Sequence, residues 1–167
     1  MSYRDLKTYQ QATVIYDFTV EFTSRYIKSF RTKDQMDQAG RSGKQNISEG
    51  CEVSRTSKSS ELKLLGVALG SLKELGEDYE DYLRQHNLTI WQKESVEAYK
   101  VRNFVYGSTL KELYWPYLEK PELAANAMIC LINQTTYLLK NQINSLEEKF
   151  AKEGGYHEKL YKLRTKL

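Results

Sequence analysis

Carboxylates are the first candidates for chemistry in this chain. Glu74, Asp78 and Asp81 recur at i, i+4 and i+7, which places them on one helical face, with Glu77 and Glu80 at its flanks. A di-iron centre in a helix bundle takes Glu-x-x-His pairs from facing helices. Neither His86 nor His157 has a glutamate three residues before it, so that centre lacks its ligands. Glu49-x-x-Glu52 and Glu77-x-x-Glu80 resemble the acid pairs of an all-α, Mg²⁺-dependent nucleotide phosphohydrolase, where hard oxygens on neighbouring helices hold the cation against phosphate. Gly50 falls inside the first pair, where the helix is expected to end, and a solvated acidic face is the ordinary reading of such residues. Cys51 and Cys130 have no short spacing and no nearby histidine, which excludes the usual zinc pattern and any disulfide framework. Cys51 follows Gly50 in a loop with no histidine near it in sequence, and Cys130 reads as a small buried hydrophobe. No catalytic residue, metal ligand or cofactor is therefore assigned, and the chain reads as a non-enzyme, with the phosphohydrolase kept as a third reading.

Cations give the second candidate site. Arg41, Lys44, Arg55 and Lys58 surround one helix end, a serine-rich loop and the start of the next helix. A helix N-terminus with Ser57, Ser59 and Ser60 offers free N–H groups and the positive end of a dipole, which suits phosphate. If the chain forms a ring, the patch repeats in every subunit, and weak phosphate contacts add up to salt-sensitive affinity for RNA or DNA. The competing reading is a mixed surface loop. A second basic group, Lys159, Lys162, Arg164 and Lys166, is interleaved with Leu160, Leu163 and Leu167 at helical spacing. Those leucines are expected to dock and leave the charges in water.

The elements that must position these groups all read as helices. The chain has 167 residues, enough for one domain with a proper core, with 40% apolar and 28% charged residues and a net charge of +3. That charge is too small to mark a dedicated duplex binder. Its distribution is uneven: residues 31–60 and 152–167 are net basic and 61–86 net acidic. A first helix is expected over about Asp5 to Phe30, and a second from Thr32, with Gln35 at capping-box spacing, to Gly50. A third runs from Ser60 to Gln85, with Asn87 as a C-terminal cap residue. Residues 90–116 form a less regular helical connector interrupted by Gly107 and Pro116. Pro121 opens the longest helix, over 121–153, which Gly154-Gly155 stops before the basic tail 156–167. Interior glycines cost roughly 1 kcal/mol each relative to Ala. Gly43, Gly66 and Gly70 are therefore expected where the second and third helices approach closely. The segment Leu123 to Leu139 is uncharged, but its Asn, Gln and Thr residues and its length argue for a buried helix rather than a membrane span. The N-terminus has no apolar signal-peptide core, so a cytoplasmic protein is expected.

Asn46-Ile47-Ser48-Glu49-Gly50, Ser59-Ser60-Glu61-Leu62 and Gly70-Ser71-Leu72-Lys73-Glu74-Leu75, with Tyr3-Arg4-Asp5-Leu6, resemble the four-helix-bundle proteins encoded in intervening sequences of 23S ribosomal RNA genes. The likeness covers residues 3–86. Pro121 to Asn126 and Gly154-Gly155 are similar to a longer subgroup with a C-terminal suffix region. Lys44 stands where many members carry proline, and Gly43 replaces an aliphatic residue, so a less kinked second helix is expected. The resemblance implies an all-α, antiparallel up-and-down four-helix bundle that assembles as a homo-oligomer, often a pentamer. It also implies kinship with the accessory protein of diversity-generating retroelements, a basic barrel that works beside a reverse transcriptase and nucleic acid. On these grounds the chain is expected to be an oligomeric scaffold that binds nucleic acid or a nucleic-acid enzyme. A purely structural assembly protein is the alternative.

Overall fold

Three helices begin where a serine side chain takes an otherwise unpaired backbone N–H. Ser29 accepts from Thr32 N at 3.3 Å, Ser57 from Ser60 N at 3.1 Å, and Ser95 from Ala98 N at 3.2 Å. The computed structural model describes residues 2–106 and 109–166, without the side chain of residue 106, and among the described residues there is no strand. Gly107 and Leu167, named above in the connector and the tail, lie outside the described residues. The elements are α1 (Lys7–Tyr26), α2 (Phe30–Val53), α3 (Lys58–Gln85), α4 (Val96–Arg102), α5 (Leu110–Tyr114), α6 (Pro121–Glu153) and α7 (Tyr156–Thr165). Short 3-10 turns cover Tyr3–Asp5, Asn103–Tyr106 and Trp115–Glu119. Ser29 takes the cap expected of Thr32, so α1 ends earlier and α2 starts earlier than the sequence implied. At its other end α2 runs through Gly50 to Val53. Asn87 closes α3 as expected: its φ is 53°, its N–H reaches the Arg84 carbonyl at 3.2 Å, and Leu88 N reaches the Leu83 carbonyl at 2.9 Å.

The four long helices touch in the cyclic order α1, α2, α3, α6. Specific contacts give their directions. Gly40 and Gly50 of α2 lie against Leu75 and Leu65 of α3, and Gly76 of α3 lies against Ile132 of α6. The Thr135 hydroxyl meets Gln11 Oε1 at 2.8 Å, and Thr8 donates to Gln142 at 3.3 Å. Thr23 donates to Asp37 at 2.7 Å while Gly40 lies against Tyr16, and Lys58 shares a hollow with Lys149. Residue numbers thus rise in one helix as they fall in its neighbour, and adjacent long helices run antiparallel. The core between them holds Phe18, Phe22, Leu65, Leu72, Tyr79 and Met128, all fully buried. Inside it, the Tyr79 and Thr19 hydroxyls pair at 2.8 Å, which satisfies both polar groups away from water.

The connector joins this core instead of looping over it. Val101, Tyr114 and Leu118 are buried, the Phe104 and Tyr114 rings meet edge to face at 5.3 Å, and Tyr26 Oη donates to the Leu118 carbonyl. Asn126 anchors its start. That buried side chain accepts from Trp91 N at 2.8 Å and donates to the Thr89 carbonyl at 2.8 Å and the Glu122 carbonyl at 2.9 Å. Among the described residues, no helix is long and apolar enough to cross a membrane.

Candidate functional site

The four cations singled out from sequence do not gather. Arg41 is exposed in the middle of α2, about 18 Å along the axis from the end of that helix at Val53. Lys44 turns toward α1, its ammonium 5.9 Å from the ring centres of both Tyr9 and Tyr16. Only Arg55 and Lys58 stay at the α2–α3 turn. Lys58 Nζ pairs there with Glu61 at 3.2 Å, and Glu61 is buried in the first turn of α3. The positive end of α3 thus already faces a carboxylate, and Ser57 caps the Ser60 N–H expected for phosphate.

The fold assembles a different basic group at that end of the molecule. Lys58, Lys149 and Lys159 border one small hollow beside Leu146, Phe150 and Gly154, with exposed Arg55 on the adjoining turn. Lys159 lies 3.9 Å from Glu153. Lys149 went unrecognised because it stands 91 positions after Lys58, and only the antiparallel pairing of α3 with α6 brings the two together.

α7 leaves this end uncovered. Every described residue of α7 is exposed except Leu160, which is half-buried; Leu163 is 61% and Tyr161 69% exposed. Of the tail leucines expected to dock, Leu160 is half-buried and Leu163 stays in solvent. Gly154, at φ 75°, turns the chain out of α6, and Gly155 N donates to Glu158 Oε2 at 2.7 Å to start the new helix in a different direction.

The acidic residues sit toward the opposite end. A cleft of about 450 Å³ opens between the α1–α2 turn and the last turns of α3. Tyr26, Ile27 and Tyr82 line it, with Asp78, Asp81, Lys28 and His86 among its charged or titratable groups. The His86 ring stacks on Tyr82 at 4.0 Å, and its Nδ1 lies 2.8 Å from the Tyr82 carbonyl. Asp81 pairs with Arg84 at 2.8 Å, whereas Asp78 has no ion-pair partner among the described residues. Partial burial first, then Glu74, Asp81 and Glu77, push the Asp78 carboxyl up to about 6. The other acid pair, Glu49 and Glu52, is exposed near the other end of α2. With Gly50 beside Leu65, Glu77 lies about 18 Å further along the rod, too far to share one cation with it. Among the described residues, no group of three or more His, Cys, Asp or Glu side chains is placed to hold a metal ion. Burial pushes the pKa of both cysteine thiols up, with Glu61 and Glu52 adding to the effect at Cys51, which opposes thiolate chemistry. A further hollow of about 610 Å³ lies over α1 and α5, but its Lys111 is held by Asp17 at 3.2 Å and lies 4.7 Å from the Trp115 ring centre.

The packing glycines divide. A Cβ on Gly43 would stand 2.6 Å from Leu72 Cδ2 and 2.8 Å from its Cγ, so close approach holds there. A Cβ on Gly66 or Gly70 would meet no neighbouring element within 4 Å, and both are exposed, which corrects the expectation that they face α2. Leucines of α3, not its glycines, fill the space over α2. Ser71 does meet α2, through Ser42 at 2.9 Å. No protein family, characterised protein or solved structure matches the chain.

Proposed function

We propose that this chain is a non-enzymatic scaffold, an antiparallel up-and-down four-helix bundle that self-associates and presents its ends to partners in the cytoplasm. The cyclic order of long helices supports the bundle reading. One observation carries the self-association: α7 presents Leu163 and Tyr161 to solvent between Lys159, Lys162, Arg164 and Lys166, and among the described residues no surface of its own protomer covers them. A ten-residue helix of this kind is marginal alone in water, and a partner surface would stabilise it. A closed ring, pentameric in the family it resembles, is the assembly to look for.

The test is native mass by sedimentation equilibrium across protein concentration and salt. A multiple of the 19.5 kDa chain that persists on dilution supports the scaffold. A single-chain mass at every concentration overturns it.

Nucleic-acid contact is a second reading, favoured by the convergence of Lys58, Lys149 and Lys159 beside Arg55. Electrophoretic shifts of RNA and DNA at low ionic strength test it. Binding that weakens as salt rises, and is lost on Lys149→Glu with Lys58→Glu but kept on Arg41→Glu, supports contact at this end. Binding by no nucleic acid at low salt removes it.

A further inference from the structure

The uncovered helix and the acidic cleft are complementary, and they lie at opposite ends of one molecule. α7 carries a short apolar stripe through Leu160 and Leu163, flanked by Lys159, Lys162 and Arg164 and followed by Lys166, against one acid in its first turn, Glu158. The cleft has an apolar lining from Tyr26, Ile27 and Tyr82, and Asp78 lines it with no ion-pair partner among the described residues. Glu74, Glu77 and Glu80 continue the negative surface along α3. Lys28 and His86 are the basic groups on the cleft, and Arg84 is already taken by Asp81. Leucines seated on the tyrosines would bring lysines to the carboxylates.

Length decides whose α7 this is. Gly76 packs beside Ile132, so the cleft at Asp78 lies at least as far up α6 as that residue. From Glu153 at the end of α6 back to Ile132 is about 30 Å of helix, while α7, with ten residues, spans about 15 Å. A protomer's own α7 reaches only about halfway. We infer that the cleft between the α1–α2 turn and the end of α3 receives α7 from a second copy of this chain. This rests on the self-association proposed above and supplies its contact. Because donor helix and receiving cleft are different surfaces, the contact is head-to-tail, and repetition closes a ring or extends a filament.

Complementation of two full-length variants tests the inference by sedimentation. Lys162→Glu with Arg164→Glu disables the tail and leaves the cleft intact. Asp78→Lys with Asp81→Lys disables the cleft and leaves the tail, and Asp78→Asn with Asp81→Asn is the milder form should the reversal unfold the chain. Where the wild-type protein is oligomeric, each variant alone is expected to sediment as one chain. An equimolar mixture of tail and cleft variants is expected to give a dimer and nothing larger, since it contains one working tail and one working cleft. Variants that keep the wild-type mass overturn the inference and leave the scaffold standing, as does a mixture that stays monomeric. A single-chain wild-type protein overturns both. If the tail variant assembles normally yet loses binding to duplex RNA or to phosphatidylserine vesicles, α7 serves that ligand and the inference is wrong.

Discussion

Along the α2–α3 seam, side chains of one helix occupy the space that glycines leave on the other: Leu75 lies near Gly40, Leu72 over Gly43 and Leu65 over Gly50. Along the α1–α6 seam neither helix contains a glycine. Gln11 and Thr135 bridge the axes there, and the connector wedges Tyr114, Trp115 and Leu118 against the pair, with the Phe18 and Trp115 rings 5.9 Å apart. The contrast separates two ways of closing a helical core. Where two helices meet directly, the backbones approach and the leucines need glycine beneath them. Where a third layer is inserted, large aromatics fill the gap and the interhelix contact becomes partly polar.

The connector side gives the largest expected effect. Tyr114 is fully buried against Phe104, with its hydroxyl 3.4 Å from the Val101 carbonyl. Tyr114→Ala is expected to cost about 3–5 kcal/mol in urea unfolding, the usual result of emptying an aromatic site in a core. Amide exchange should then rise in α4, α5 and the facing part of α6, while α2 and α3 stay protected. A loss below about 1 kcal/mol, or uniform loosening of all four long helices, would mean the connector only decorates the surface.

The glycine seam comes next. Gly43→Ala places a methyl inside the van der Waals radius of two carbons of Leu72, a fully buried side chain with no solvent to turn into. A cost of about 1–3 kcal/mol is expected. A melt unchanged from wild type would show that Leu72 repacks freely, and the distinction between the two seams would collapse.

Much of this arrangement was legible in the residues, and the misses have physical causes. Periodicity and Pro121 placed α6 almost to the residue, because a long apolar repeat opened by proline and stopped by Gly154 admits little else. The α1–α2 boundary was missed by three residues, since Ser29 and Thr32 are both competent caps and only the chain's turn at Ile27 and Lys28 selects the first. Gly66 and Gly70 were misplaced although the helical wheel holds the answer. At 3.6 residues per turn, the stripe through Leu65, Ala68, Leu72, Leu75 and Tyr79 points roughly 170° away from them. The acidic cleft and the Lys58–Lys149–Lys159 group join residues far apart in sequence, so only the order in which the helices pack brings them together.

Those exposed glycines sharpen the comparison from the other side. Gly66→Ala fills open space in the middle of α3, so it should raise stability by about 1 kcal/mol through helix propensity and a less flexible unfolded chain. The opposite sign from Gly43→Ala, for the same added methyl in the neighbouring helix, is the outcome that distinguishes seam from surface. A destabilisation at Gly66 in a monomeric sample would place that face against a neighbour within the protomer and contradict the packing described here.

The smallest expected effect is electrostatic and lies where α3 leaves the seam. Asp78 titrates near 6 in the folded chain against an ordinary 3.8. Between those values the folded state holds a proton that the unfolded state has released, so stability falls as pH rises from about 4 through 6. In dilute, dissociated protein, where no α7 cation faces the carboxylate, Asp78→Asn removes that slope and is expected to make the protomer more stable than wild type at pH 7. The carboxyl is only half-buried, so the gain is on the order of 1 kcal/mol, well under the ~3 kcal/mol an unscreened group would give. The measurement is the difference in urea midpoint between variant and wild type at pH 4 and pH 7. Equal differences at both values would mean that Asp78 already has a counter-charge in solution, and its acidity would have to be explained by a partner that neutralises it.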